Sequence, residues 1–299
     1  MGHYLYHVPM KKCAFLTLDE RGDWVIDDEH AIEPLAELGW DVHTVSWRQR
    51  TVPWEAFEAV VIRSTWDYWN DVPAFLDVLQ TIDKKTRLAN PLSLVHWNLS
   101  KTYMQDLERK GVNIVPTLWP DTVQPGSFEA FSDALETEDL VIKPVVGANG
   151  DKAFRVNAGD RGERVQEICR IFRQREAMVQ RFMPEVLTEG EYSLFYFSGE
   201  FSHAILKVPA ANEFRSQEER GADILAAEPD SLLLERGQQA LGALGTPPLY
   251  ARIDFVRDEK GDYALMEQEL IEPSMYLRTD PGAAKRFAQA IDRWFAQEL

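Results

Sequence analysis

Four charged residues in "RIDFVRDEKGDYALMEQEL" are spaced to act together: Arg252, Asp254, Glu267 and Glu269. A two-residue turn at Lys260-Gly261 sets Glu259 opposite Asp262, Asp254 opposite Glu267 and Arg252 opposite Glu269. Strand side chains alternate, so these four share one face while Ile253 and Phe255 point the other way. Like charges facing each other destabilise a sheet, and one arginine does not balance three acids. A divalent cation would, and Mg²⁺ is typically held by one or two carboxylates plus the phosphates of a nucleotide. The competing reading is a solvated acidic hairpin face with no ligand. Gln268 on the apolar face is a mild objection to the register.

Phosphates call for cations and amide donors. Lys143 ends the apolar strand of "DLVIKPVVGANG", and Gly147-Ala148-Asn149-Gly150 follows as a loop whose backbone N–H groups can wrap an anion. Lys101 stands near the start of the helix "LSKTYMQDLERKG". Each is weak alone, since lysines beside glycine turns are usually solvated. No GxxxxGK[ST] or GxGxxG occurs, so neither the P-loop nor the dinucleotide fingerprint explains a nucleotide site.

The positioning elements read in order along the chain. "KKCAFLTLD", the helix "EHAIEPLAELGW", "DVHTVSW" and "FEAVVIRST" alternate as strand, helix, strand, strand, which implies a parallel α/β sheet. Its third strand runs into "RSTWDYW", and ligands of open α/β sheets gather at the carboxyl ends of strands. Arg63, Ser64, Trp66 and Tyr68 are thus binding-loop candidates. An equal alternative has the aromatics covering the sheet edge and Arg63 pairing with a local acid. "VPAFLDVLQTI" is a helix and "LANPLSLVHW" a proline-marked passage out of the first unit, with the boundary near residue 95. "VNIVPTLWP" as a strand, "FEAFSDAL" as a helix, the Lys143 strand, the helix "RGERVQEICRIFRQ" and the strand "AMVQRF" then make a mixed α+β unit. A second sheet begins with "GEYSLFYFSGEFSHAILKVP", two strands joined at Ser198-Gly199.

Composition narrows the function classes. The 299 residues are 45% hydrophobic and 11% aromatic, ample for two or three packed units. Forty-nine acidic against 32 basic residues leave a net charge of -17, which repels nucleic acid and anionic membranes. Cys13 and Cys169 lack any CxxC or Cys/His pattern, and the six histidines offer no zinc spacing. No apolar run approaches the roughly 20 residues of a membrane span, and no signal-peptide order is present, so a cytoplasmic protein is expected. Residues 1–9, "MGHYLYHVP", precede the more natural start "MKKCAFLTLD" and read as an added upstream piece.

Taken together, "NLSKTYM", "LVIKPVVGANG", "MVQRFMPEV", "ANEFRSQEERGA", "ARIDF" and "MEQELIEPS" resemble the ATP-grasp superfamily of carboxylate-amine ligases over residues 96–280. The arginine-bearing loop is similar to that of glutathione-synthetase-like and glutamate-ligase-like members. The strand pair with "EQELIEPSMYL" looks closest to the D-cycloserine-ligase-like group. Glu269 departs from the asparagine of many members, and "EPSMYL" replaces their Asn-x-Ser-Pro-Gly.

The resemblance implies an ATP-grasp fold, with a parallel α/β substrate domain (10–95) preceding two sheets that clasp the nucleotide. These would be a small α+β subdomain (96–183) and a C-terminal subdomain with the metal site (184–299). It also implies ATP and two Mg²⁺ ions, with Asp254, Glu267 and Glu269 as metal ligands. Lys101 and Lys143 would meet the phosphates and Gly147, Asn149 and Gly150 would cover them. Gln180, Arg181 and Phe182 would read adenine through the backbone. Glu191 is the ribose candidate, with Glu185 as competitor. Arg215 and Arg252 would stabilise the transferring phosphoryl group and the oxyanion that follows. Arg63, Ser64, Trp66, Tyr68 and Ser274 would hold a small carboxylate, Ser274 having a capping role as its alternative. The implied reaction activates that carboxylate as an acyl phosphate for attack by an amine or similar nucleophile, in a monomer or homodimer. A small-molecule kinase and a nucleotide sensor are the competing classes.

Overall fold

The computed structural model describes residues 10–296; the upstream piece at 1–9 lies outside the described residues. Strands β1 (Lys11–Thr17), β2 (Trp40–Ser46), β3 (Ala59–Ser64) and β4 (Leu88–Ala89) form a parallel sheet in the order β2-β1-β3-β4. All six residues of β3 are buried, as a strand covered on both faces requires. The chain leaves β1 toward β2 on one side and returns to β3 on the other, so the switch point lies between β1 and β3. The loops after their carboxyl ends carry Trp24 and Trp66.

Strands β5 (Thr117–Leu118), β6 (Asp139–Pro144), β7 (Phe154–Asn157) and β8 (Ala177–Arg181) form a small antiparallel sheet, ordered β5-β8-β6-β7. The large sheet is also antiparallel. It contains β9 (Glu191–Phe197), β10 (Glu200–Val208), β11 (Asp223–Ala227), β12 (Tyr250–Arg257) and β13 (Tyr263–Glu269), ordered β11-β10-β9-β12-β13. The helices are α1 (Ile32–Glu37), α2 (Val72–Asp83), α3 (Leu92–Asn98), α4 (Tyr103–Arg109), α5 (Ser127–Leu135), α6 (Glu163–Phe172), α7 (Glu185–Thr188), α8 (Ser231–Gly242) and α9 (Ala283–Ala296).

Helix α9 returns to the start of the chain. Its Phe287 and Ile291 pack with Phe15 and Leu35 from the first unit and with Phe195 and Phe197 of β9. Asp292 accepts from Lys11 at 3.0 Å and from the Trp40 indole at 2.9 Å. One apolar seam therefore joins the parallel sheet to the large sheet.

Three local expectations need correction. The passage around residue 95 is helical, because Pro91 precedes α3 and its apolar residues bury Val95. The strand expected from "VNIVPTLWP" shrinks to Thr117–Leu118, since Pro116 and Pro120 interrupt it and Ile114 bridges to Leu265 instead. The hairpin tip is a three-residue loop: Asp258 N–H donates to the Asp262 carbonyl at 2.7 Å, and Gly261 takes φ +81°. That loop alone would shift the register by one. A bulge that leaves Met266 unpaired between Asp254/Glu267 and Phe255/Leu265 shifts it back. Asp254 thus faces Glu267 and Arg252 faces Glu269, as the simpler turn required, whereas Asp262 faces Asp258 rather than Glu259.

Candidate active site

A cavity of about 190 Å³ opens where the three sheets meet. Strand β12 contributes Arg252 and Asp254, β13 Glu267 and Glu269, and β9 Glu191. Across from them the small sheet supplies Lys143, Gln180 and Arg181, with Phe182 just beyond. Lys101 and the loop residues Gly147, Asn149 and Gly150 also line it.

The edge strand β13 is held by side chains where another strand would otherwise pair. Asn98 donates to the Gln268 carbonyl at 2.8 Å and accepts from Leu270 N–H at 2.9 Å. The Tyr103 hydroxyl accepts from Gln268 N–H at 2.8 Å. These bonds bracket Glu269 and fix the direction of its side chain while satisfying an exposed ladder edge.

The charges form an alternating row. Lys207 lies between Glu191 and Asp254, 3.4 Å from the latter. Arg252 holds Asp254 at 3.0 Å and also contacts Glu269. Lys101 reaches Glu267 at 2.9 Å and the Gly147 carbonyl at 2.7 Å. Burial raises the Asp254 pKa, but Arg252 and Lys207 outweigh it and hold the carboxyl at about 2. Glu267 is also lowered, burial being overcome by Lys101 and then Lys143. Glu269 is pushed to about 7 by burial, against Arg252, with Glu267 and Asp254 adding repulsion. Glu272 rises to about 8 through burial and then Glu269. Burial lowers the Lys143 pKa, against the pull of Glu267.

The structure does not gather the three expected metal ligands around one point. Among the described residues no trio of acid, histidine or cysteine side chains is close enough to hold an ion unaided. Each acid of the hairpin instead rests on a cation. Hard oxygen donors and an incomplete protein ligand set nevertheless suit Mg²⁺, which takes its remaining ligands from phosphate and water.

Arg215 and the glycine loop meet. Arg215 donates to the Gly150 carbonyl at 3.4 Å and Arg220 to that of Asn149 at 3.3 Å, while Glu213 holds the Arg215 guanidinium at 2.7 Å. Gly150 has φ +62°, and a Cβ there would sit 3.0 Å from the Arg215 side chain. The Glu191/Glu185 alternative divides in space: Glu191 lines this cavity, whereas Glu185 lines a separate cleft beside Asp258 and Glu259.

Trp66, Tyr68 and Ser274 line the cavity; Arg63 and Ser64 do not. Arg63 is 1% exposed, and its guanidinium is taken up by Asp28 at 2.9 Å and the Pro273 carbonyl at 3.0 Å. Ser64 bonds Thr17 at 2.8 Å. Both are therefore withdrawn as substrate contacts: the strand end that carries them is closed by Asp28, Pro273 and Thr17, all distant in the chain. Ser274 makes no helix cap, since the turn Leu277–Thr279 starts after Tyr276, and its carbonyl accepts from Arg252 at 3.5 Å.

The sequence reading missed Lys207, Glu272, Trp24 and the Asn98/Tyr103 brace. Lys207 had a signal, because the Ser198-Gly199 turn pairs β9 with β10. Simple counting sets it opposite Gly190, and only the bulge between Phe201 and His203 moves it opposite Glu191. Glu272 lay in the segment already marked as a departure from family pattern.

Two sheets closing on two lysines, a glycine loop and an acidic hairpin define an ATP-grasp enzyme. Residues 108–232 match the prokaryotic glutathione synthetase ATP-grasp domain, and residues 13–90 match the N-terminal domain of D-cycloserine synthetase DcsG. The chain is 31% identical over 278 residues to the cycloserine biosynthesis protein DcsG of Streptomyces lavendulae, covering 87% of this chain and 91% of that one. It is 26% identical over 284 residues to a glutathione synthetase of Thermosynechococcus vestitus, covering 91% and 79%. The crystal structure of D-cycloserine synthetase DcsG superposes with a TM-score of 0.85 at 28% identity, covering 95% of this chain and 99% of that one. The ATP-grasp ligase PsnB, complexed with a minimal precursor, Mg and ADP, shares the fold at a TM-score of 0.63 and 15% identity, covering 95% and 97%. The chain belongs to the ATP-grasp ligase family that includes DcsG and the glutathione synthetases, and it is an ATP-dependent ligase forming an amide or peptide bond.

Proposed function

We propose that the enzyme binds Mg-ATP between the small and large sheets and activates a small carboxylate held at the parallel-sheet end of the cavity. The observation that carries this reading is the convergence of Lys101, Lys143, the glycine loop, the hinge 180–182 and the hairpin acids on one cavity. The backbone of Gln180, Arg181 and Phe182 meets adenine, Glu191 the ribose, and Lys101 and Lys143 the phosphates. Asp254, Glu267 and Glu269 would hold two magnesium ions, which would supply charge neutralisation to the phosphates. On nucleotide binding Lys101 leaves Glu267 for phosphate, freeing that acid. Arg215 lies over the glycine loop and excludes water from the transferring group, while Arg252 meets the carboxylate oxygen and then the oxyanion formed by amine attack. The nucleophile's proton leaves with phosphate, so no serine, cysteine or histidine is required as a covalent catalyst.

DcsG's name makes an amino-acid-derived, cycloserine-type product the first to assay. Two buried free cysteines fit residence in the reducing cytoplasm, and among the described residues no helix is long and apolar enough to cross a membrane. The test is a Mg-ATP-dependent screen of small acids with hydroxylamine as nucleophile, reading hydroxamate and ADP together. Hydroxamate with stoichiometric ADP supports carboxylate activation; ADP with a stable phosphorylated product would replace it with the kinase reading.

A further inference from the structure

Arg278 holds two acids from segments far apart in the chain. One terminal nitrogen of its guanidinium donates to both oxygens of Asp27, at 2.8 and 2.9 Å, and the other to both oxygens of Glu218, at 2.6 and 2.7 Å. Tyr276, which lines the cavity, takes φ +46°, and the short turn that follows it presents Arg278. The guanidinium lies 5.1 Å over the Tyr276 ring.

Each of the two acids belongs to a segment that walls the cavity. Asp27 follows Trp24, which lines the cavity and stands against Trp66 with ring centroids 5.4 Å apart. Beside it, Asp28 grips the buried Arg63 of β3 at 2.9 Å, which fixes this stretch to the parallel sheet. Glu218 opens the turn Glu218–Arg220, in the loop between β10 and β11 that also brings Phe214, Arg215 and Gln217 to the cavity. From that loop Arg215 and Arg220 donate to the Gly150 and Asn149 carbonyls of the glycine loop, and the Phe214 ring stands edge-on to Phe182 of the hinge. One guanidinium thus joins the parallel sheet to the roof over the glycine loop.

A cation shared by two carboxylates does more than two separate ion pairs would. Without it Asp27, only 5% exposed, and Glu218 face one another with like charge, which drives the two segments apart. We propose that Arg278 is a positioning residue that registers the Trp24 segment against the Arg215 loop, so that closure over the phosphates is transmitted to the parallel-sheet end of the cavity. This rests on the Mg-ATP site proposed above and adds the connection by which filling one end of the cavity orders the other.

The test follows backbone hydrogen exchange in the full chain with and without Mg²⁺ and a non-hydrolysable ATP analogue, over residues 19–28, 147–150 and 214–221. In the parent the analogue should slow exchange in all three segments, by about 10-fold or more. Glu218→Gln alters a partly exposed side chain that does not line the cavity, so the fold and the nucleotide site are kept. In that variant the analogue should still protect 147–150, while its effect on 19–28 falls below about 2-fold. Arg278→Gln should behave in the same way, and Arg278→Lys, which keeps the charge but loses the paired nitrogens, should retain part of the effect. Protection of 19–28 that is as large in Glu218→Gln and Arg278→Gln as in the parent would overturn the proposal, as would a parent in which 147–150 responds and 19–28 does not. Failure of the Mg-ATP reading looks different: the analogue would then leave 147–150 unchanged as well, and both readings would fall together.

Discussion

Arg63 and Arg252 are both buried, stand on strands of neighbouring sheets, and each grips an aspartate. Their surroundings differ. Around Arg63 every strong charge is answered: Asp28 and the Pro273 carbonyl take the guanidinium, and the Tyr250 ring lies 5.3 Å beneath it. Nearby, Asn90 donates to the carbonyls of Tyr250 and Leu270 and accepts from Leu249 N–H, all within 2.9 Å. Around Arg252 the acids outnumber what it can hold, and Glu269 and Glu272 are pushed toward their neutral forms. The seam is electrostatically complete in the protein alone, whereas the cavity leaves two buried acids displaced toward their neutral forms. Burial and residue type alone do not separate an arginine satisfied within the fold from one proposed for catalysis; the balance of its neighbours is the better guide.

The comparison can be broken most severely at the seam. Arg63→Ala strands Asp28 and a buried carbonyl, and should cost about 3–5 kcal/mol in denaturant unfolding. The Michaelis constant of the acid should not change in the molecules that remain folded. A large rise in that constant without loss of stability would return Arg63 to the substrate site.

Glu267→Gln should do the reverse. Turnover in Mg-ATP is expected to fall by a factor on the order of 100 or more, about 3 kcal/mol of transition-state stabilisation, with the unfolding midpoint little changed. Unchanged Mg²⁺-dependent turnover would remove Glu267 from the metal site.

The smallest effect sharpens the contrast through pH. His203 stacks on Phe195 at 4.3 Å within the seam, and its Nε2 lies 3.0 Å from the Met275 carbonyl, to which it donates. Burial lowers its pKa to about 4 from the ordinary 6.5. The unfolded chain then binds the proton first as pH falls, so this residue's contribution is intact above about 6.5 and is lost on descending toward 4. The loss is at most about 3 kcal/mol. Subtracting the stability profile of His203→Gln from that of the parent should isolate this slope; identical profiles would show that His203 does not titrate as a buried neutral ring.

Much of the candidate site was legible because its parts are local. Alternation along "ARIDF" and "MEQEL" put Arg252, Asp254, Glu267 and Glu269 on one face, and the glycines of "VVGANG" marked the loop. The errors came where a partner is distant. Nothing near Arg63 foretells Asp28 or Pro273, and nothing near Glu269 foretells that Asn98 and Tyr103 will brace its strand. Even the correct hairpin pairing arose from two departures, a longer turn and a bulge, that cancel only in the folded sheet.

The sequence by itself determined the two β periodicities, the bounds of α2 and α5 and the inventory of acids, lysines and glycines, because these follow from side-chain alternation, caps and backbone freedom within a few residues. The tertiary structure decided which charges are complete. Only packing α9 against the first unit and bringing three sheets to one cavity leaves Arg63 satisfied, Lys207 between two acids and Glu269 beside two further acids, since electrostatic balance depends on distances between segments that the chain order does not specify.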